Sequence, residues 1–284
     1  MNNQLYIENL DAIGKTLLIP LWVRYKDYIA DNPLVGDKYS YEIVKNMIDN
    51  GDFNFDDFEI LSEKIKQLTI LGISTRTMII DKMIIDFINK HNKPVIINLG
   101  CGLDTRSIRL AHKKAKWINI DVRPTIKLRD SIFRKIGINT INSIDLSHSI
   151  YDFSWIENIK ENDSYKSRDL LFLSEGTLMY FNKAMNLELI YKIEQSFNDI
   201  TFILEILGLL ASGHSHPFIK KLGLDIKYKW GQTNTDKIFN NSIVIENKSI
   251  FDIYQKQWGI LGALVKILPF LKRRISSYIV MAKN

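Results

Sequence analysis

Apolar residues recur every three or four positions in the first third of the chain. This spacing places them on one face of a helix, and it occurs over residues 17–30, 39–48, 58–71 and 76–89. The pattern predicts an N-terminal helical cap that occupies residues 1–93.

From Pro94 onward the pattern changes to short, β-rich apolar runs separated by helical stretches. The runs cover residues 95–99, 117–120, 140–144, 170–173, 200–206, 242–246 and 278–282. Strands that alternate with helices are typical of a mostly parallel, doubly wound sheet. We therefore predict an α/β core over residues 94–284, with a seven-stranded, mostly parallel sheet that ends in a hairpin-like pair.

Ligands of such sheets bind at the carboxyl ends of the strands, so the residues that follow each run are informative. Gly100 and Gly102 follow the first run, and Asp121 ends the second run, 19 residues after Gly102. Glycine lets the backbone approach a ligand closely because it has no Cβ. An aspartate at this spacing can accept hydrogen bonds from both hydroxyls of a ribose. The spacing predicts a ligand that contains a ribose.

The residues after the glycine turn bear on the charge of that ligand. Dinucleotide-binding turns normally carry a third glycine, and Thr105 stands in its place. Asp104 adds negative charge where a pyrophosphate favours positive charge. These features favour a cationic ligand such as S-adenosylmethionine, while a dinucleotide and a purely structural glycine turn stay open.

Polar residues also follow the third and fourth predicted strands. Asp145 and Leu146 are placed to accept from an adenine amine and to donate a backbone amide to the ring, and Glu175 is placed to face an ammonium or sulfonium. Arg76, on the helix before the sheet, is placed to clamp a carboxylate. Each acid alone is equally typical of an exposed cap or turn. The agreement of four strand ends supports a single ligand site.

The composition fits one catalytic unit. The chain has 284 residues, 46% of them hydrophobic, which suffices for one large core with a helical cap. The net charge of +6 is spread along the chain, as on a solvated surface, so we expect no nucleic-acid partner. The single cysteine, Cys101, excludes an intramolecular disulfide and fits a reducing compartment.

The ends and apolar segments of the chain suggest no targeting or membrane signal. The first ten residues include Glu8 and lack the apolar core of a signal peptide. No apolar segment has the uninterrupted length that spans a bilayer. We expect a cytoplasmic protein without stable membrane insertion, and the sequence predicts no particular oligomeric state.

Taken together, the motifs resemble those of the leucine carboxyl methyltransferase family. The matching stretches are Thr16-Leu-Leu-Ile-Pro-Leu-Trp-Val-Arg24, Arg76-Thr77 with Asp81, Asn98-Leu-Gly-Cys-Gly-Leu-Asp-Thr-Arg106 with Arg109-Leu110, Asp121, and Ser174-Glu-Gly-Thr-Leu-Met-Tyr-Phe181. The bacterial branch similar to the polyketide-pathway O-methyltransferases is nearest. The resemblance implies a Rossmann-like class I methyltransferase fold with an N-terminal helical cap, and S-adenosylmethionine as methyl donor.

The resemblance also implies roles for individual residues. It implies that Arg76 binds the donor's carboxylate, that the turn of Gly100 and Gly102 contacts its methionine portion, and that Glu175 faces its amino-acid end. It also implies that Asp121 binds the ribose, and that Asp145 and Leu146 contact the adenine. Family members use a further basic residue of the cap near the carboxylate, and Arg24 is the candidate. The resemblance implies that the C-terminal region contacts the methyl acceptor, but this region matches no substrate signature.

With a sulfonium donor, an enzyme has mainly to align the acceptor oxygen with the methyl carbon, because the leaving group is already activated. A carboxylate acceptor needs no base, whereas a phenol is helped by one. Tyr180 and His214 are the candidate catalytic residues, with His216 close to the second, although packing also explains Tyr180. Two histidines at this spacing without a nearby acid or cysteine make a poor metal site, so we predict no metal.

A strongly apolar stretch over residues 260–271 is followed by Lys272-Arg-Arg274. One interpretation is an amphipathic surface helix that meets anionic lipid or an apolar acceptor. The other is a core or lid helix kinked at Pro269, whose basic end complements the helix dipole.

Several functions stay open from the sequence. We favour O-methylation of a small-molecule hydroxyl or carboxylate in secondary metabolism over methylation of a protein C-terminal carboxyl. A protein that binds the donor without turnover is a further alternative. A nicotinamide oxidoreductase is disfavoured by Thr105 and Asp104.

Overall fold

The computed structural model describes residues 3–110, 114–162, 165 and 168–284, with side chains from Tyr6 onward. Its helices are α1 Asn3–Glu8, α2 Ala12–Lys15, α3 Leu18–Tyr28, α4 Lys38–Asp49, α5 Asp56–Glu59, α6 Glu63–Lys90, α7 Arg106–Arg109, α8 Arg123–Lys135, α9 Ser154–Glu161, α10 Lys183–Ser196, α11 Pro217–Lys221, α12 Gly259–Ile267 and α13 Pro269–Ile275. Its strands are β1 Pro94–Leu99, β2 Lys116–Asp121, β3 Ser143–Ser147, β4 Asp169–Ser174, β5 Thr201–Leu207, β6 Ile243–Ser249 and β7 Ser277–Lys283.

These strands form one sheet in the order β3-β2-β1-β4-β5-β7-β6. The first five pair in parallel, and β7 runs antiparallel between β5 and β6. Strands β1 and β5 are buried along nearly their whole length because both faces of the sheet are covered, which explains their continuous apolar runs. The predicted seven-stranded, mostly parallel sheet with a C-terminal antiparallel pair is confirmed.

Helices cover both faces of the sheet. The second half of α6 packs Ile80 and Ile84 against one face, whereas α9 and α10 pack on the other face beside Phe172. A third apolar cluster joins the N-terminal helices to α8 and α11, with Trp22 against Phe218. Since α6 belongs to the layer on the sheet as well as to the N-terminal segment, the division at residue 93 stays a prediction.

Two predicted helices are one helix. The sequence pattern separated residues 58–71 from residues 76–89, but α6 continues from Glu63 to Lys90. Gly72 does not break it, because a single glycine costs a helix only about 1 kcal/mol. A Cβ at this position would lie 3.6 Å from the ring of Trp258. The buried hydroxyl residues Thr75 and Thr77 continue the helix on its inner side.

The third strand lies later in the chain than predicted. The pattern indicated residues 140–144, whereas β3 begins at Ser143, whose amide first closes a turn with the Thr140 carbonyl. Its pairing with β2 continues until Ser147 stands opposite Asp121. As a result, Asp145 and Leu146 lie within the strand and not after it.

Three backbone segments cross closely after β5. A Cβ on Gly208 would overlap the Arg274 carbonyl, and a Cβ on Gly231 would overlap the Gly208 carbonyl. The Gly208 amide donates to the Ser276 carbonyl over 2.6 Å, and the Gln232 amide donates to the Leu207 carbonyl over 2.7 Å. Glycine is required at positions 208 and 231 because no side chain fits between the segments.

Candidate functional site

A cavity of about 580 Å³ opens at the carboxyl ends of β1, β2, β4 and β5. This is the edge of a doubly wound sheet where ligands bind. The volume lies within the range of roughly 300–1,000 Å³ that small-molecule sites occupy. Five of the predicted site residues line its strand-end side: Arg76, Gly100, Gly102, Asp121 and Glu175. Arg24 lines it from the helical cap.

The turn after β1 brings its backbone to the cavity wall. Gly100 has a φ of +74°, which favours glycine, and a Cβ there would overlap the side chain of Thr177 after β4. The Gly102 amide donates to Asp121 Oδ2 over 2.8 Å. This bond joins the ends of β1 and β2. The intervening Cys101 is buried, and burial raises the pKa of its thiol, which disfavours a thiolate.

Asp121 ends β2 and turns its carboxylate to the cavity. Its Oδ1 atom accepts from the Val122 amide over 2.8 Å. Burial raises the pKa of Asp121, and the bonds from Gly102, Val122 and Thr125 oppose that rise. The carboxylate is held in one orientation by backbone donors, which suits it to accept further hydrogen bonds from a ligand.

Arg76 of α6 is largely enclosed and bridges two carboxylates, one after β4 and one in β5. Arg76 donates from Nε to Glu175 Oε1 over 2.7 Å and from Nη1 to Glu205 Oε1 over 2.9 Å. Glu205 also accepts from the Gly176 amide over 2.7 Å and from the Ser277 hydroxyl over 2.7 Å. The sequence reasoning missed Glu205. Its signal was a single acid within the apolar run of β5.

A second arginine lies behind the first. Arg106 contacts Glu175 Oε2 and Asp81 Oδ1, each over 2.6 Å, and Asp104 Oδ2 over 2.8 Å. Burial raises the pKa of Glu175, but Arg106 and Arg76 outweigh it and hold the pKa below its ordinary value. The Nη2 atom of Arg106 is buried and has no hydrogen-bond partner among the described residues. It is a donor available to a ligand oxygen.

Arg24 approaches the cavity from α3. Its Nε atom donates to Asp37 Oδ2 over 3.1 Å and to Ser40 Oγ over 2.9 Å, and its Nη2 atom donates to the Leu103 carbonyl over 3.1 Å. Asp37 accepts in addition from the Thr105 hydroxyl over 2.6 Å. The helical cap is therefore joined through Arg24 and Asp37 to the segment that follows the glycine turn.

Asp145 and Leu146 are absent from the residues that line the cavity. Asp145 accepts from Arg129 Nε over 3.0 Å and from Asn119 Nδ2 over 2.7 Å. Arg129, which the sequence reasoning missed, is fully buried and also donates to the carbonyls of Gly102 and Asp104. The Arg129–Asp145 pair thus supports the glycine turn from behind. After β3, the cavity is lined instead by residues 148–150.

The two candidate bases differ in position. His214 is exposed, makes a contact with the Ser212 carbonyl, and does not line the cavity. Tyr180 lines the cavity, and burial raises the pKa of its hydroxyl, so it stays protonated at neutral pH. The structure places His214 outside the site.

His216 lines the cavity in place of His214. Its Nδ1 atom accepts from the Phe218 amide over 3.3 Å and so caps α11. Burial, together with the charge of Arg76, lowers the pKa of His216 to about 4. The ring is neutral at pH 7, and the lone pair of Nδ1 is already engaged.

A second part of the cavity lining is apolar. Leu68 and Gly72 of α6 face Ile250 and Trp258 there, and we call these four residues the apolar wall. Leu68, Ile250 and Trp258 belong to one apolar cluster with Phe251 and Val265. Within the described residues, His, Cys, Asp and Glu side chains form no group of three or more that could hold a metal ion.

Comparison with known protein families gives one match over most of the chain. The model of the leucine carboxyl methyltransferase family matches residues 22–194. The S-adenosyl-L-methionine-dependent methyltransferase dpfgK of Gibberella zeae is 30% identical over 193 residues, which are 67% of this chain and 63% of that protein. The tetracenomycin polyketide synthesis O-methyltransferase TcmP of Streptomyces glaucescens is 25% identical over 186 residues, 65% of this chain and 62% of that protein.

The chain spans less than two thirds of the length of both relatives. Among solved structures, the magnesium protoporphyrin IX methyltransferase of Synechocystis PCC 6803 with bound S-adenosylmethionine superposes with a TM-score of 0.50 at 11% identity. The superposition covers 86% of this chain and 97% of that one. The predicted Rossmann-like, class I methyltransferase fold is confirmed.

Proposed function

This chain belongs to the leucine carboxyl methyltransferase family, and we propose that it transfers the methyl group of S-adenosylmethionine to an oxygen of a small molecule. The family was predicted from the sequence motifs, and that prediction is confirmed. The donor, the acceptor class and the residue roles below are our proposal, and they are argued from the cavity.

The charge of the cavity lining carries the proposal. Among the described residues that line it, five carboxylates face three guanidinium groups, and there is no lysine; the residues are Asp11, Asp104, Asp121, Glu175 and Glu205 with Arg24, Arg76 and Arg106. An excess of negative charge stabilises a sulfonium and an ammonium, and it repels a pyrophosphate. The same excess argues against a dinucleotide, which the sequence left open.

The arrangement of donors and acceptors fits the parts of this donor. Asp121 would accept from the ribose hydroxyls, and the buried Nη2 atom of Arg106, with Arg76, would donate to the carboxylate. Gly100 and Gly102 would let the methionine portion approach the backbone, and Glu175 would face the amino group. Arg24 would add positive charge near the carboxylate, and residues 148–150 replace Asp145 and Leu146 as the side of the cavity open to adenine.

S-adenosylmethionine supplies a methyl carbon on a charged sulfonium, so the chain's own residues have mainly to orient the two reactants and exclude water. The ion pairs of Arg76 fix the ends of β4 and β5, and the apolar wall would exclude water from the part of the cavity that it lines. His216 and Tyr180 offer no ready proton acceptor at neutral pH. This favours an acceptor oxygen that arrives ionised, as a carboxylate does, over a phenol that must lose a proton.

The name of one relative, a polyketide synthesis O-methyltransferase, supports an oxygen of a small molecule as the methyl acceptor. Secondary metabolism is therefore the setting that we propose, and the buried free thiol of Cys101 is consistent with the reducing conditions of the cytoplasm. A nucleic-acid partner remains unexpected.

Calorimetric titration of S-adenosylmethionine into the wild type, Asp121→Asn and Asp130→Asn tests the donor. Asp130 is a matched control, because it is a half-exposed acid of α8 that pairs with Arg134. We expect Asp121→Asn to weaken binding about tenfold, as the loss of a charged hydrogen-bond acceptor does, and Asp130→Asn to bind like the wild type. Absence of binding to the wild type, or preferential binding of a dinucleotide, would contradict the proposal.

A second assay separates an enzyme from a protein that only binds the donor. Formation of S-adenosylhomocysteine is followed with carboxylate acceptors, phenols and a peptide with a free C-terminus. Turnover with the small carboxylates supports the proposal in full. Turnover with the peptide alone would reassign the acceptor class.

A further inference from the structure

The C-terminal helices present an exposed apolar surface with basic residues beside it. We call it the apolar–basic surface and define it as α12, α13 and the turn Leu209–Ala211. Its exposed apolar side chains are Ile260 (80% exposed), Ile267 (74%), Phe270 (60%), Leu210 (50%), Leu209 (49%) and Leu264 (43%). Scattered exposed apolar residues are ordinary, but six on adjoining elements require an explanation.

The helical spacing places these residues on the outer face. Ile260, Leu264 and Ile267 recur at intervals of four and three along α12, while Gly262 and Val265 are buried on its inner face. Helix α13 begins at Pro269, which confirms the predicted interruption at this proline. The turn Leu209–Ala211 stays beside α13 because the Gly208 amide bonds to the Ser276 carbonyl.

The charges around this face have one sign. Residues 259–275 contain Lys266, Lys272, Arg273 and Arg274 and no acidic residue. Lys272 pairs with Asp252 over 2.7 Å, whereas Lys266, Arg273 and Arg274 form no ion pair with a carboxylate of the described residues. All three of these side chains are exposed. An apolar stripe with uncompensated cations at its edge is typical of helices that lie in a membrane interface.

We propose that the apolar–basic surface docks the protein on an anionic lipid bilayer. Its apolar side chains would enter the region between headgroups and acyl chains, and the three cations would contact anionic headgroups. A second copy of the chain is a poorer partner, because two such surfaces would bring their cations together. The docking is peripheral: no helix in the described ranges has the length and hydropathy to cross a membrane.

The inner face of the same helix connects this surface to the cavity. Gly262 and Val265 pack with Trp258, and Trp258 lines the cavity. The docked face is therefore the outside of the apolar wall. If the proposed function holds, an acceptor dissolved in the bilayer would reach the cavity over a short path; the docking itself does not depend on that function.

Sedimentation with lipid vesicles tests the docking. The wild type is mixed with vesicles of phosphatidylcholine alone or of phosphatidylcholine with phosphatidylglycerol, at low and at high salt. We expect binding to the anionic vesicles that falls as salt rises. Arg273→Gln with Arg274→Gln should reduce partitioning about fivefold per charge, and Ile267→Asp with Phe270→Asp should reduce it at least tenfold.

The control is Ile141→Asp, which changes an apolar side chain that is 83% exposed outside this surface. It should bind vesicles like the wild type, and thermal unfolding should confirm that all variants fold. Equal binding to both kinds of vesicle, no binding at all, or an equal loss in the control would overturn the proposal. So would a dimer in lipid-free sedimentation equilibrium that Ile267→Asp with Phe270→Asp dissociates, because the surface would then join two copies of the chain.

Discussion

The two sides of the cavity are built from different interactions. On the polar side, Arg76, Glu175 and Glu205 form a largely enclosed ion-pair network with bonds of 2.7 and 2.9 Å. The apolar wall has no such bonds, and Trp258 and Ile250 are positioned by packing alone, apart from the indole bond to the Ile253 carbonyl. The first side would bind a ligand through charges in fixed positions, whereas the second would bind it through close packing of apolar atoms.

This difference implies that the two sides respond differently to change. Removal of one charge from a buried network leaves the partner charges uncompensated, which is costly for folding and for any ligand placed by that network. A substitution in an apolar wall changes only the volume of the side chain, and its cost in free energy of unfolding depends on how well the new side chain fits there. Variants on the two sides should therefore separate donor affinity from acceptor selection.

Glu205→Gln should have the largest effect. The variant keeps a hydrogen-bonding side chain but removes the charge opposite Arg76, so we expect the free energy of unfolding to fall by about 1.5–3 kcal/mol. Donor affinity should fall as well, because Arg76 keeps only one of its two carboxylate partners, Glu175. Urea unfolding and calorimetry measure the two effects.

Glu194→Gln is the matched control for this variant. Glu194 is equally buried, and it accepts from the backbone amides of Asn240, Asn241 and Ser242, but it does not line the cavity. It should lose comparable stability without any change of donor affinity. Equal losses of donor affinity in both variants would mean that the polar side does not position the ligand.

A pH-dependent effect of intermediate size is expected from His216→Asn. The pKa of His216 is lowered to about 4 by burial, from an ordinary value of about 6.5, so the unfolded state binds a proton between these values and the folded state does not. This group's contribution to stability is present above pH 6.5 and is lost as pH falls toward 4. Between pH 7 and pH 5 the wild type should lose about 2 kcal/mol more than the variant.

Urea unfolding of both proteins at the two pH values measures that difference. Asparagine is chosen because it can also cap α11, so the loss of the helix cap does not dominate the comparison. Parallel pH profiles of the two proteins would show that His216 is not held neutral by its surroundings.

Gly72→Ala should have the smallest effect on stability and a selective effect on the acceptor. The added methyl would lie 3.6 Å from the Trp258 ring, an ordinary contact, and alanine is favoured over glycine in a helix by roughly 1 kcal/mol. The free energy of unfolding should be unchanged or slightly higher, with donor affinity unaffected. Bulky acceptors should lose kcat/KM relative to small ones, and an equal loss for all acceptors would argue against the apolar wall as their binding surface.

The polar side was largely predictable from the sequence. Gly100, Asp121 and Glu175 follow apolar runs at strand ends, where topology brings residues together from distant parts of the chain. Asp145 was misplaced because the strand was assigned to residues 140–144, whereas a turn between Thr140 and Ser143 delays the start of β3. Arg129 was missed because its partners, the Asp145 carboxylate and the carbonyls of Gly102 and Asp104, come from other segments of the chain, and no periodicity connects them.

The apolar wall could not be predicted. Its residues come from α6 and from the segment before α12, and no periodicity connects segments so far apart in the chain. Each interpretation of residues 260–271 agrees with one feature of α12, which buries Val265 as a core helix does and exposes Ile267 as a surface helix does; contact with lipid stays a proposal. Only the packed structure shows which apolar side chains remain exposed.

The crossing of backbones at Gly208 and Gly231 has a consequence for engineering. Residues 209–230 form a loop whose two ends, at Gly208 and Gly231, are in contact. The free energy of closing such a loop varies slowly with the number of residues in it. It contains His216 and Tyr228, which both line the cavity. We expect that exchanging this segment for that of a relative changes the cavity lining without rebuilding the sheet, provided that both glycines and the contact of Phe218 with Trp22 are kept.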